Sequence, residues 1–161
     1  MKRFAIFMIF LVFAAVIAVG YLYFISSVDV VSYGCLAVEA ATQPELFEQL
    51  KEEVASGALC GTLYRQDADL SDISRYVFYT YTARLRNNTF LTADMVEMQV
   101  GMKGDDVLQI GDSTAKALKS HTTGDIQAII LTDRDMDNTR ELTLTYYMWG
   151  IPFVTRTVYG H

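Results

Sequence analysis

The sequence predicts a mainly β protein: an N-terminal transmembrane helix, a short amphipathic helix and then an antiparallel β-sandwich. Three observations carry that prediction. Residues 4–25 form an unbroken apolar run. Residues 44–56 set apolar side chains at helical spacing. From about residue 75 the apolar period falls to two, and turn signals recur at intervals of roughly 8–14 residues. The expected organisation is a cytoplasmic start and anchor over 1–27, a membrane-proximal segment over 28–74 and the sandwich over 75–161.

The apolar run holds no charged residue. A helix of that length, at about 1.5 Å per residue, spans about 33 Å, enough to cross a bilayer core. A signal peptide has a shorter apolar core, about 7–15 residues, and small residues at its cleavage site. Here Tyr21, Tyr23 and Phe24 stand where small residues belong, and the triplet Ala18-Val19-Gly20 lies inside the run. A retained signal anchor is therefore expected over a cleaved peptide. Lys2 and Arg3 precede it and hold the N-terminus in the cytoplasm by the positive-inside rule. The chain from about Val28 onward is then extracytoplasmic. Cys35 lies well past the run, which argues against a lipoprotein. The short basic start, with no organelle presequence, points to a single-pass protein of a bacterial cell membrane.

About 135 residues follow the anchor, a length that suits one domain. Setting aside Lys2 and Arg3 leaves eleven basic residues against nineteen acidic ones, a formal charge of −8. An acidic exterior excludes nucleic acid as a partner class, because phosphate contacts need a positive field. Cys35 and Cys60 are the two cysteines. An even pair outside the cytoplasm fits a disulfide, and two buried free thiols fit equally well.

Each element has its own signal. Residues 28–38 mix β-branched residues with Ser, Tyr and Gly, which suits a short strand or an extended stalk. Pro44 sits in a first helical turn after Thr42 or Gln43, and Glu45 and Glu48 follow near the positive end of the dipole. Leu46, Phe47, Leu50 and Val54 make one stripe, and Gly57 closes the helix. Its other face is acidic, so the stripe should dock on its own domain rather than on a membrane. In the next strand Val77, Tyr79, Tyr81, Ala83 and Leu85 share one face. Asn87-Asn88 marks a turn. Val96, Met98, Val100 and Met102 form a second alternation, followed by a turn at residues 103–106 and a short strand at 107–110. Residues 115–119 suit a strand or a helical turn. A β-rich run covers 126–132. Leu142, Leu144, Tyr146 and Met148 then alternate up to Trp149-Gly150-Ile151-Pro152, and a last strand covers 153–159. Pro152 cannot donate to a ladder and belongs in the turn or on an edge.

Three of these stretches resemble the small sandwich domain of the late-embryogenesis-abundant type 2 (water-stress, hypersensitive-response) group. They are the strand at 79–88 ending in Ala-Arg-Leu-Arg-Asn-Asn, the strand at 93–100, and the closing Tyr-Tyr-Met-Trp-Gly-Ile-Pro-Phe hairpin. The group's Asn-Pro pair is replaced here by Asn88-Thr89. The resemblance implies an immunoglobulin-like sandwich, often held behind one membrane anchor, and implies no activity.

Chemistry-bearing residues are sparse, and no catalytic residue is assigned. His121 lies in a polar stretch and His161 ends the chain. Neither Gly-x-Ser-x-Gly, a phosphate-cradling loop nor His-Glu-x-x-His occurs. A non-enzymatic role is expected. Asp133, Asp135 and Asp137 are the candidate metal ligands, since alternate carboxylates in a turn can converge on calcium. The EF-hand pattern is not met, and a hairpin connection held by local hydrogen bonds explains the same residues. Asp67, Asp69 and Asp72 form a looser cluster. Tyr76, Phe78, Tyr147 and Trp149 fall opposite the clearest apolar stripes and form a candidate partner surface. Asn87-Asn88-Thr89 also matches a glycosylation acceptor.

The functional expectation is a membrane-anchored interaction or structural subunit of the cell envelope. It would hold the bilayer through residues 4–25 and bind another membrane or envelope protein. The alternative is a calcium- or carbohydrate-binding module that uses the acidic turns or the aromatic face.

Overall fold

The computed structural model describes residues 2–25, 27–111, 116–134 and 137–160. The first element, α1, is Lys2–Ile25. Its segment Arg3–Tyr21 is long and apolar enough to cross a membrane, and none of it is buried against the rest of the protein. Ser27 immediately precedes the first strand.

The strands are β1 (Val28–Glu39), β2 (Gly61–Leu63), β3 (Tyr76–Asn87), β4 (Ala93–Val100), β5 (Asp106–Gly111), β6 (Lys116–Leu118), β7 (Thr123–Asp133), β8 (Arg140–Met148) and β9 (Ile151–Tyr159). They form two sheets, ordered β1-β3-β7-β5-β2 and β6-β4-β8-β9. Every pairing is antiparallel. The mainly β, antiparallel sandwich read from the alternation is the architecture found.

The core between the sheets follows the period-two pattern. Val77, Tyr79, Tyr81, Ala83 and Leu85 on β3 pack with Val96, Met98 and Val100 on β4 and Leu142, Leu144, Tyr146 and Met148 on β8. The other face of β3 supplies Tyr76 and Phe78 to a second core. That core lies under α2 (Pro44–Ser56), whose Phe47 and Leu50 are buried. The Phe47 and Tyr76 rings are 5.8 Å apart. Gly57 ends α2 at φ 70°, a left-handed conformation that glycine takes without a Cβ clash. The amphipathic helix thus docks on its own domain, as its acidic outer face predicts.

The boundary expected at residue 74 does not exist. β1 pairs with β3 from Val28↔Asn87 to Glu39↔Val77, and β2 pairs with β5. Residues 28–74 therefore belong to the sandwich. Their signal is weak because β1 is an edge strand, half exposed, so Ser32 and Gly34 interrupt its apolar pattern without cost. Pro152 lies in β9 opposite Tyr147, at the free edge of the second sheet. An edge is where its missing N–H leaves no bond unmade.

β1 runs away from α1, so the pairings define a near end and a far end. Val28↔Asn87, Arg86↔Thr123 and Asp94↔Tyr147 mark the end next to α1. Glu39↔Val77, Tyr76↔Asp133 and Asp106↔Thr132 mark the far end.

Candidate interaction surfaces and the polar ends of the sandwich

The far end is an ion-pair network. Arg140 at the start of β8 and Asp106 at the start of β5 lie in different sheets, and their side chains meet at 3.0 Å with 1% and 0% exposure. Asp106 also accepts the Lys103 backbone N–H at 2.6 Å. Arg140 donates to the Asp137 and Thr139 carbonyls. A buried charge needs such partners, because burial removes its water. The pair therefore clamps one sheet to the other. No sequence signal marked it: both residues sit in polar turns where a solvated charge is the ordinary outcome.

The acidic turn is built into this network. Asp133 lies 3.7 Å from Arg65 and 3.9 Å from Arg75. Asp137 accepts from Lys103 Nζ at 2.9 Å and from the Thr139 N–H at 2.9 Å. Those bonds hold the Asp137 carboxyl well below the usual carboxylate range. Asp135 lies outside the described residues, as does His161. The two acidic loops approach each other at Arg75, whose guanidinium lies 3.9 Å from Asp133 and whose carbonyl accepts the Arg134 backbone N–H. Asp69 and Asp72 accept from Ser71 and Ser74 within their own turns, which lowers both carboxyls. Among the described residues no three His, Cys, Asp or Glu side chains stand close enough to hold a metal ion.

Cys35 and Cys60 are free thiols, so the disulfide that their even number allowed is not formed. Cys35 is on β1, at one edge of the five-stranded sheet, and Cys60 immediately precedes β2 at the opposite edge. At about 4.8 Å per strand, the three intervening strands keep them well beyond the roughly 7 Å limit for a bridge. Cys35 faces Tyr81 across the β1–β3 ladder, and burial pushes its thiol up. Burial also raises the Tyr81 phenol far above its ordinary range, and its hydroxyl donates to the Asn138 carbonyl at 2.5 Å.

The aromatic surface divides in two. Tyr76 and Phe78 are buried beneath α2 and present nothing to a partner, which corrects their placement on an exposed face. The alternation sets both residues on the outer face of β3, and that face is roofed by the helix. Tyr147 is half exposed and Trp149 is exposed. Among the described residues, no helix side chain joins the core of the second sheet. Its edge strand β9 exposes Val154 and Val158, and β1, the free edge of the first sheet, exposes Val31 and Leu36. Tyr33 on β1 and Tyr159 on β9 have ring centroids 5.6 Å apart, so the two free edges lie on the same side of the sandwich.

The near end is organised by Asn87, a residue read only as part of a turn. Its side chain is fully buried. It donates to the Leu91 carbonyl at 2.6 Å and the Leu118 carbonyl at 2.9 Å, and accepts from the Thr89 N–H and hydroxyl. It therefore ties the β3–β4 loop to β6. Its burial also leaves no room for a glycan at that position in the folded domain. Beside it, His121 lies edge-on to Phe90 at 6.1 Å.

Among the described residues, clefts open between the sheets. One of about 80 Å³ is lined by Leu85, Val96 and Leu118 among others. One of about 170 Å³ lies between β2 and β4. Both fall below the roughly 300 Å³ at which small-molecule sites begin.

No family model and no curated protein matches the chain. Among solved structures it is similar to a FixG-related protein from Vibrio parahaemolyticus, at 13% identity over 62% of this chain and 93% of that one, with a TM-score of 0.37. It is also similar to the cupredoxin domain of amoB from Nitrosocaldus yellowstonii, at 12% identity over 84% of this chain and 88% of that one, with a TM-score of 0.35. The sandwich assignment rests on the strand pairing in this chain and not on these distant likenesses.

Proposed function

We propose that the chain is a single-pass membrane protein whose extracytoplasmic sandwich acts as a non-enzymatic interaction subunit of the cell envelope. Its partner would be another membrane or envelope protein. One observation carries the reading: α2 covers β3, β5 and β7 of the five-stranded sheet, whereas the edge strands stay open, β1 keeping Val31 and Leu36 in solvent and β9 of the second sheet keeping Val154 and Val158. Free edge strands with apolar side chains are the elements onto which a partner adds a strand or lays a face. The apolar α1 supports the anchor, and Lys2 and Arg3 before it support a cytoplasmic N-terminus. A tether of this kind raises the effective concentration of the domain for neighbours in the same membrane.

The test is purification of the full-length tagged protein from its native membrane in mild detergent, with identification of what accompanies it. A stoichiometric membrane partner is expected, and the variant Val154→Asp/Val158→Asp should lose it while its circular dichroism is unchanged. A protein that purifies alone, or a partner that survives the double substitution, overturns the reading.

A further inference from the structure

We propose that the near end of the sandwich docks on the bilayer surface, with Trp149, Phe90 and Met95 seated among the lipid headgroups. The proposal rests on the anchor reading above and adds an orientation and a second membrane contact to it.

Reach comes first. Three peptide steps connect Ile25 to Val28, at most about 11 Å of chain. If α1 spans the membrane, the near end must lie against the headgroup layer. The side chains at that end then matter. Trp149 is 63% exposed, Phe90 67% and Met95 53%. Trp and Phe at a water–hydrocarbon boundary place their apolar bodies in the interface, and Trp keeps its N–H hydrated.

Backbone strain points to the same end. Among the described residues, three non-glycine residues have positive φ: Met95 at 48°, His121 at 54° and Trp149 at 53°. All three are at the near end. Trp149 and Gly150, at φ 74°, form the two-residue connection between β8 and β9. Asn-Gly is the favoured pair in such a connection, and a bulky aromatic residue is disfavoured there. The exposed Trp149 side chain does not contribute to either core, so the strain is not repaid by packing within the fold. Met95 sits in a bulge of β4, where the register with β8 shifts between Asp94 and Glu97. His121 holds Phe90 edge-on. The strained backbone and the exposed apolar side chains thus coincide.

The platform is also rigid and carries two exposed cations. Asn87 binds the Leu91 and Leu118 carbonyls, and Ser120 Oγ donates to the Thr89 carbonyl at 2.8 Å. These bonds lock the loops before docking, which limits the entropy lost on contact. Arg86 and Lys119 are exposed at the same end and can meet lipid phosphates. Carboxylates share that end, Asp29, bonded by Asn88 at 2.5 Å, and the exposed Asp94, so the docking rests on the apolar side chains rather than on net charge.

Trp149 is the single tryptophan of the chain, so its emission reports this contact alone. The full-length protein would be reconstituted in phosphatidylcholine vesicles containing lipids brominated either near the headgroup end of the acyl chain or near its terminus. Docking predicts loss of most Trp149 emission with the shallow bromine, less with the deep one, and protection from aqueous iodide. Emission that iodide quenches and neither lipid does overturns the proposal. Emission shielded from iodide and from both lipids means contact with a second copy, and overturns it as well. An alkaline carbonate wash of native membranes separates the two readings. Release of the protein overturns both, whereas retention with an iodide-quenched Trp149 overturns only the docking.

Discussion

Asn87 illustrates how far one side chain can exceed its local signal. In the sequence it is half of an Asn-Asn turn; in the structure it is a buried hub that uses both its donors and its acceptor. Asn87→Ala would leave the Leu118 carbonyl and the Thr89 N–H unpaired inside the protein. Each such group costs about 1–3 kcal/mol, so the variant should lose on the order of 3 kcal/mol in urea unfolding followed by circular dichroism. Asn88→Ala, at the exposed neighbour, should change stability by about 0.5 kcal/mol or less. Equal effects would mean that the hub carries no special weight. The same scale separates the readable residues from the unreadable ones. Trp149 and Tyr147 were legible as outward-facing because alternation places them there. Tyr76 and Phe78 share that alternation and end up buried, because exposure depends on what lies above a strand and not on the strand itself.

Elements show the reverse balance. The helix Pro44–Ser56 was readable to the residue, because proline, acidic first turn, apolar stripe and terminal glycine agree. The strands β3, β4 and β8 were readable by period. β1 was readable only as one of two alternatives, a strand or a stalk, and β2 not at all, since an edge strand is only partly buried and needs little apolar patterning. What joins the elements is less legible still. Arg140 on β8 and Asp106 on β5 are thirty-four positions apart and become a buried pair only when the sheets stack. Arg140→Ala would leave Asp106 buried without its counter-charge, at a cost of about 3–5 kcal/mol. Arg140→Met with Asp106→Asn removes both charges and keeps an acceptor for the Lys103 N–H, so it should recover much of that loss. A double variant no better than Arg140→Ala would show that the pair acts through something other than charge compensation.

At the scale of the whole molecule the question is which way the domain faces. Cys60 is an exposed free thiol beside β2, whereas Cys35 is half-buried on β1 and its thiol is pushed up by its surroundings. A membrane-impermeant maleimide added to spheroplasts should therefore label Cys60 quickly and Cys35 slowly. Labelling that appears only after lysis would put the domain in the cytoplasm and remove the envelope reading. The native thiols make this a test without any substitution.

The sequence by itself determined the apolar helix, the amphipathic helix, the antiparallel sandwich and the acidic character of the domain. Each of these follows from a periodicity or composition that a short window already contains. Only the tertiary structure decided that residues 28–74 belong to the sandwich and that the cysteines stand at opposite edges. It alone decided that two of the four aromatics are roofed and that Asn87 and the Arg140–Asp106 pair lock the two ends. Those properties depend on which strands become neighbours and on what is stacked above them, and contacts between residues far apart in the chain leave no periodic trace along it.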